Sequence, residues 1–132
     1  MAVVDLSNYD LENAQDPVAV DEGEYKVRII ECDGVRENSA GNPYILPRFE
    51  IDGEPLAKDF THYMALPTDD MDAKKAERVR SSLKKFCVTF NLDFAQFDTD
   101  ELQVLEGWAI LGKSFDDQYG EQNFIKRFQV GN

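Results

Sequence analysis

The stretch TDDMDAKKAERVRSSLKKFCVTFN, residues 68–91, predicts one long helix, and strand-like segments lie on both sides of it. Apolar residues recur along it at steps of three and four, which places them on one helix face. They are Ala76, Val79, Leu83, Phe86, Cys87 and Phe90. Acidic residues suit the positive end of the helix, and Lys84 and Lys85 suit its negative end. We therefore expect an amphipathic helix that packs one face on a β core.

Three strand-like segments precede this helix, at residues 24–32, 43–52 and 56–66. The first alternates apolar and polar side chains and is expected to continue through Val35. Pro47 lies inside the second segment and cannot donate a ladder hydrogen bond, so that strand is expected to have an open side. The third segment has two mixed faces; the turn signal Asp52-Gly53-Glu54-Pro55 precedes it and Pro67 ends it.

Two more strand-like segments follow the helix, at residues 108–115 and 123–130, after a short predicted helix at 98–105. Trp108 is predicted to lie in the core. The order β-β-β-α-β-β is that of the oligonucleotide-binding (OB) fold, a five-stranded barrel. A barrel plugged by an amphipathic helix buries apolar faces that five short strands in an open sheet would expose. We predict a mainly β, OB-like five-stranded barrel with the helix between strands three and four. An α+β sheet with the helix across one face is the alternative.

The length of 132 residues predicts one domain, and the net charge of −12 is unevenly distributed along it. Residues 1–22 carry six acidic side chains and no Lys or Arg, which is half of the net charge. This segment lacks sustained periodicity and is predicted to be an acidic, flexible arm, with residues 23–132 forming the OB-like domain. Phosphate affinity comes largely from Lys and Arg, so the total charge weakly disfavours nucleic-acid binding.

The sequence predicts neither an enzyme nor a metal or cofactor site. His62 is the only histidine, and the chain has no glycine-rich phosphate loop after a strand. Cys32 and Cys87 are expected to be buried free thiols of a reducing cytoplasm. We find no apolar run of membrane-spanning length and no secretion signal at the N-terminus, so a cytoplasmic location is expected.

Cations and aromatic rings recur together on strand positions and loop edges. Non-specific single-strand binders use these two kinds of group, cations for phosphates and rings for bases. The cations expected to contact phosphates are Arg28, Arg48, Lys58, Lys113, Lys126 and Arg127. The rings expected to stack on bases are Tyr44, Tyr63, Tyr119 and Phe124. A solvated barrel exterior with ordinary aromatic packing would show the same pattern.

Short motifs mark the entries to the predicted elements. They are Glu22-Gly23-Glu24-Tyr25, Gly41-Asn42-Pro43, Leu92-Asp93 after the basic helix, Leu105-Glu106-Gly107, and Tyr119-Gly120-Glu121 before Asn123. In these motifs, from residue 22 to about residue 128, the chain resembles a group of bacteriophage proteins long described as a domain of unknown function. Those proteins are regarded as single-stranded DNA-binding proteins of phage replication and recombination.

The resemblance implies an OB-like fold, single-strand binding and no catalytic residue. It also implies phage or host replication and recombination proteins as partners, in the bacterial cytoplasm, and leaves the oligomeric state open, with a dimer among the possibilities. Such binders commonly finish in an acidic tail. This chain instead ends in Gln129-Val130-Gly131-Asn132 and carries its acidic run at the front.

The prediction is therefore a protein that coats single-stranded DNA without sequence preference. Two alternatives from other classes stay open. One is an acidic protein-interaction or assembly module, and the other is a DNA-mimicking inhibitor of a nucleic-acid enzyme. In both alternatives the acidic surface does the binding, and DNA is not bound.

Overall fold

The computed structural model describes residues 1–129. Residues 130–132, which include the end of the predicted fifth strand and the chain terminus, lie outside the described residues. The strands and the helix are β1 (Gly23–Glu31), β2 (Arg36–Glu37), β3 (Pro43–Ile45), β4 (Arg48–Ile51), β5 (Phe60–Thr61), β6 (Met64–Ala65), α1 (Ala73–Phe90), β7 (Glu106–Asp116) and β8 (Gly120–Phe128). Two short 3-10 helices are present, at Leu11–Asn13 and Thr99–Leu102.

Five strands form an antiparallel sheet in the order β5-β4-β1-β7-β8, and this sheet curls into a nearly closed barrel. Its two edge strands come together at both ends. At one end the Lys58 ammonium donates hydrogen bonds to the backbone oxygens of Tyr119 and Glu121, both at 3.0 Å. At the other, the His62 ring meets the Phe128 ring edge-on, with centroids 5.5 Å apart. With α1 between the third and fourth barrel segments, the predicted OB-like barrel is confirmed.

The predicted strands before the helix are broken where the chain leaves the barrel. The second splits at Pro47 into β3 and β4, and the third splits after Thr61 into β5 and β6. Since Pro47 has no N–H to donate, the ladder is interrupted there, and its carbonyl accepts a hydrogen bond from the His62 N–H at 3.0 Å. The two breaks therefore lie side by side.

The outer halves of these strands, β3 and β6, join β2 in a separate three-stranded sheet in the order β2-β3-β6. The prediction that the first strand continues through Val35 is wrong. Strand β1 ends at Glu31, and Gly34 has a φ of +70°, in the left-handed region. This turn sends the chain into β2, which pairs with β3 instead of extending the barrel.

The core consists of inward-facing side chains of the barrel and of aromatic rings from α1. The barrel contributes Val27, Ile29, Phe49, Ile51, Ala109, Leu111, Ile125 and Phe128, all buried. From α1, Phe86 and Phe90 lie against Phe128, each with its ring centroid 5.7 Å away. Rings in this range pack at tilted or edge-on angles and contribute beyond their buried area. Cys32 and Cys87 are free and buried, as predicted.

Helix α1 approaches β7 closely because Gly107 has no side chain. A Cβ atom at Gly107 would lie 2.6 Å from the Thr89 Cγ2 atom of the helix. The helix begins at Ala73, and its cap lies within the predicted stretch 68–91: Asp72 accepts a hydrogen bond from the Lys75 N–H at 2.8 Å. It ends at Phe90, before Asn91 in the left-handed conformation. The predicted apolar stripe faces the core.

Candidate nucleic-acid interface

Three of the predicted binding residues meet in one cleft. Arg48 from β4, Lys58 from the segment before β5 and Tyr119 from the β7–β8 turn line a cleft of about 440 Å³, which we call the hairpin cleft. Its other lining residues are Asp59, Phe60, Thr61 and Gln122. In OB folds the face of strands two and three and the loop between strands four and five bind oligonucleotides, and this cleft joins those two regions.

The cations of the hairpin cleft already have partners. The Arg48 Nε atom lies 3.7 Å from the Asp59 carboxylate, and the pair is largely exposed. The Lys58 ammonium uses two donors on backbone oxygens across the barrel seam and keeps one for a ligand. A phosphate in this cleft would therefore replace Asp59 at Arg48 and take the remaining donor of Lys58.

The Tyr119 ring is free to meet a ligand. It is 60% exposed and belongs to none of the packed ring pairs of the core. The Asp116 carboxylate fixes the turn beneath it by accepting hydrogen bonds from the N–H groups of Gln118, at 2.8 Å, and of Tyr119, at 3.0 Å. The turn is thus held by its own backbone contacts, and the ring is available for stacking.

Tyr44 and Tyr63 form a stacked pair outside the hairpin cleft. They lie on β3 and beside β6, with ring centroids 4.6 Å apart and planes inclined at 26°. The Asn38 amide donates a hydrogen bond to the Tyr63 hydroxyl at 3.3 Å. Each ring covers one face of the other, so a base could stack only on an outer face of the pair.

Phe124 presents a supported ring on the outer side of the barrel. It lies opposite Gly112 in the β7–β8 ladder, and a Cβ atom at Gly112 would be 2.4 Å from the Phe124 Cζ atom. The ring therefore lies over the glycine and is still 40% exposed. Because Gly112 has no side chain, it leaves room for this ring.

The prediction that Trp108 lies in the core is wrong. Its side chain is 49% exposed and faces outward from β7, opposite Lys26 of β1. Its neighbours Gly107 and Ala109 point inward, and the alternation of a strand then places Trp108 outside. The residue thus adds a second partly exposed aromatic ring to the outer face that carries Phe124.

Arg28 is held by carboxylates on that same face. Its Nε atom donates a hydrogen bond to Glu50 at 2.6 Å, and the Glu106 carboxylate lies 4.0 Å from its guanidinium. The hydrogen bond that Arg28 donates to Glu50 raises the pKa of the Arg28 guanidinium. Lys26 pairs with Glu106 at 2.8 Å, and this contact lowers the pKa of Glu106. Arg28 therefore belongs to an exposed ion-pair network and lies outside the hairpin cleft.

The last residues of the predicted arm lie against the barrel. The Val18 N–H donates to Leu56 O and the Val18 carbonyl accepts from the Lys58 N–H, both at 2.8 Å. The Val20 N–H donates to the amide oxygen of the buried Asn123 side chain at 2.9 Å, and the Asn123 amide donates back to Val20 O at the same distance. Residues 1–17 expose their side chains.

Two acidic residues of this docked segment pair with predicted phosphate contacts. Asp21 lies 3.4 Å from the Lys113 ammonium, which also pairs with Glu121 at 3.1 Å. Hydrogen bonds that the Lys113 ammonium donates to Glu121 and Asp21 raise the pKa of Lys113. Glu22 lies 3.2 Å from the Lys126 ammonium. The arm thus pairs with two of the cations predicted to contact phosphates.

A second cleft lies between α1 and β8, and its helix cations were not predicted as binding residues. We call it the helix–strand cleft. It measures about 290 Å³ and is lined by His62, Arg78, Ser81, Ser82, Lys85, Ile125, Lys126, Arg127 and Phe128. No carboxylate is among these lining residues. The periodicity of the helix assigned Arg78 and Lys85 to its solvated side. The sequence signal that could have identified them is their spacing of seven residues, which places Arg78 and Lys85 two turns apart on the same helix face.

Neither a protein-family model nor a curated protein matches this chain. The resemblance to phage single-strand binders therefore stays a prediction. Within residues 1–129, no helix is long and apolar enough to cross a membrane. In the same part of the chain, no group of three or more His, Cys, Asp or Glu side chains is placed to hold a metal ion.

Proposed function

We propose that this protein binds single-stranded DNA without sequence preference and coats it during phage replication or recombination in a bacterial cytoplasm. The observation that carries the proposal is the hairpin cleft. Three separate chain segments bring Arg48, Lys58 and the exposed ring of Tyr119 to one place on an OB-like barrel. This is the combination of charge and ring that sequence-independent single-strand binding needs.

In the proposed complex Arg48 and Lys58 contact phosphates, and a base stacks on Tyr119. Arg48 exchanges its exposed pairing with Asp59 for a phosphate, and this exchange costs little because exposed ion pairs contribute about 0–1 kcal/mol. The stacked base contributes about 1–3 kcal/mol. Phosphates and ring faces are common to all sequences, so the cleft discriminates between single and paired strands and not between bases. No catalytic step or cofactor is part of the proposal.

One observation favours the alternatives in which the acidic surface is the working part. Of the six cations expected to contact phosphates, four pair with carboxylates in the structure, namely Arg28, Arg48, Lys113 and Lys126. A protein-interaction module or a DNA mimic would use the carboxylates, and its cations would only balance them. Such a protein would not retard single-stranded DNA in a gel.

The test is a gel shift of poly-dT at low salt with three proteins. We expect the wild type to shift the oligonucleotide and the Arg48→Gln/Lys58→Gln double variant to bind at least tenfold more weakly. A matched control is Lys74→Gln/Lys75→Gln, which removes the same charge from exposed positions that line neither cleft. Duplex of equal length should compete poorly, because paired bases offer no open faces. Absence of a wild-type shift would refute the proposal and favour the acidic alternatives.

A further inference from the structure

The hairpin cleft and the helix–strand cleft lie along the same strand. Gln122 of β8 lines the first, and Lys126 and Arg127 of β8 line the second. Lys126 follows Gln122 by four positions, which is about 13 Å at the roughly 3.3 Å rise of a strand. On the other side of the seam, Lys58 borders the first cleft and His62 the second. The two clefts are therefore consecutive along the β5–β8 seam.

The helix–strand cleft has the more accessible cations. Arg78, Lys85 and Arg127 form no ion pair with any carboxylate within residues 1–129, and only Lys126 is paired, with Glu22. Like charges placed together without partners repel one another, and a polyanion would relieve this repulsion. A phosphate entering this cleft displaces at most one carboxylate, whereas Arg48 of the hairpin cleft must first lose Asp59.

The remaining groups of the cleft suit a sugar-phosphate backbone better than a base. The hydroxyls of Ser81 and Ser82 can donate hydrogen bonds to phosphate oxygens, as serine hydroxyls do in other nucleic-acid complexes. Phe128 is buried, and the His62 ring lies edge-on against it. The cleft therefore offers charge and hydroxyl donors but no exposed aromatic face for stacking.

We propose that the helix–strand cleft binds phosphates of the same single strand whose base stacks on Tyr119. The strand then follows β8 from the β7–β8 turn towards α1. This inference rests on the proposed function and extends it, because it makes the helix part of the binding surface. The ligand chemistry is a phosphodiester backbone, without base recognition. The bound length is accordingly longer than the hairpin cleft alone would accommodate.

The test compares a short and a long oligonucleotide on the full-length chain. An oligo-dT of about 5 nucleotides suits one cleft, and one of about 16 nucleotides reaches the upper range for a single OB fold. In Arg78→Gln/Lys85→Gln, affinity for the long strand should fall at least tenfold, and affinity for the short strand should stay within twofold of wild type. The slope of log affinity against log salt for the long strand should shrink by about 1.4, since each lost phosphate contact removes about 0.7.

Lys74→Gln/Lys75→Gln is the matched control, with the same charge change on the same helix outside the cleft, and it should leave both affinities near wild type. An unchanged long-strand affinity in Arg78→Gln/Lys85→Gln, or an equal loss with both lengths, would overturn the proposed path. If the wild type binds neither oligonucleotide, the proposed function itself fails, and this inference fails with it. Melting temperatures of the variants verify that each is folded.

Discussion

At the residue scale, a substitution of Tyr119 should weaken DNA binding without destabilising the fold. Its ring is exposed, and the turn is held by Asp116 through backbone N–H groups. Replacing Tyr119 with Ala should therefore leave the melting temperature nearly unchanged. Single-strand binding should weaken by about 1–3 kcal/mol, the contribution of one stacked base. The two measurements are a thermal melt and a titration of labelled oligo-dT with the variant.

Leu111→Ala provides the contrast for Tyr119→Ala. Leu111 is fully buried, and its truncation should cost roughly 2–5 kcal/mol of stability. Leu83 on α1 is a poorer contrast, since it is only partly buried and its loss should cost less. Comparable destabilisation by Tyr119→Ala and Leu111→Ala would show that the ring is structural, and the stacking assignment would then be wrong.

His62, the only histidine, reports on the helix–strand cleft through one imidazole signal. Burial lowers its pKa below the usual 6.5. The charged groups lining its cleft are Arg78, Lys85, Lys126 and Arg127, all cationic. We expect an NMR titration of the free protein to give a pKa under 6.5.

The lowered pKa of His62 has a consequence for stability. Below pH 6.5 the unfolded chain takes up a proton at this position that the folded protein resists. The contribution of neutral His62 to the free energy of unfolding is thus fully present above pH 6.5. It declines as the pH falls towards the pKa that His62 has in the folded protein. His62→Gln should remove this part of the pH dependence when denaturant melts at pH 7.5 and pH 5.5 are compared with wild type. A His62 pKa at or above 6.5 would contradict both expectations.

At the element scale, the helix and the interruption of the ladder at Pro47 could be predicted from the sequence, and the break after Thr61 could not. The stripe of α1 depends on local spacing, and its residues Val79, Phe86, Cys87 and Phe90 are buried as the periodicity requires. The break after Thr61 depends on a distant segment, because it lies where the His62 N–H pairs with Pro47 O. Alternation within one segment contains no information about such a pairing.

The docked segment of the arm leads to a prediction about binding. Asp21 and Glu22 pair with Lys113 and Lys126, so they compete with phosphates for these cations at high effective concentration. Asp21→Asn/Glu22→Gln should raise affinity for single-stranded DNA severalfold at low salt. The gain should be smaller at high salt, where screening already weakens the competition. Fluorescence titrations of oligo-dT at two salt concentrations measure both effects.

Substitution is cleaner than deletion of residues 1–22 for this test. Deletion would remove Val20 from the buried Asn123 side chain, and an unsatisfied buried polar group costs about 1–3 kcal/mol. Glu12→Gln/Asp16→Asn is the matched control, with the same charge change at residues that form no ion pair within residues 1–129. An equal gain in the control would attribute the effect to total charge and not to the two contacts.

At the scale of the whole molecule, the predicted binding residues are distributed over several surfaces. Barrel order alone explains why Arg48, Lys58 and Tyr119 meet, because strands two and three and the last turn border one face in an OB fold. The ion pairing of Arg28 depends on strand register, which places Arg28 opposite both Glu50 and Glu106. Sequence patterns do not specify register between distant strands, so these ion pairs were not predictable.

The helix–strand cleft shows the same limit at a larger scale. Arg78 and Lys85 line the proposed binding surface only because α1 packs beside β8, where Lys126 and Arg127 lie. From the sequence, the helix shows an apolar face and a charged face, and the charged face is indistinguishable from a solvated one. Packing of α1 against a specific strand supplies the missing information.

The whole molecule also determines how binding depends on salt. With a net charge of −12, this protein can bind a polyanion only through local cation clusters, and such binding is electrostatic and salt-dependent. Log affinity for oligo-dT should fall linearly with log salt, by roughly 0.7 per phosphate contacted, so six contacts would give a slope of about 4. The observed slope should be smaller than this. Each carboxylate that loses its Lys or Arg partner takes up a cation from solution, which offsets part of the counterion release.

Titrations of oligo-dT between about 50 and 300 mM salt measure this slope. Asp21→Asn/Glu22→Gln should steepen the slope, because two carboxylates no longer need counterions when the strand binds. Binding that is flat over this range would rule out phosphate contacts by Arg48, Lys58 and their neighbours, and with them the electrostatic basis of the proposed function. Equal slopes in wild type and variant would instead show that Lys113 and Lys126 do not contact DNA even when Asp21 and Glu22 no longer pair with them.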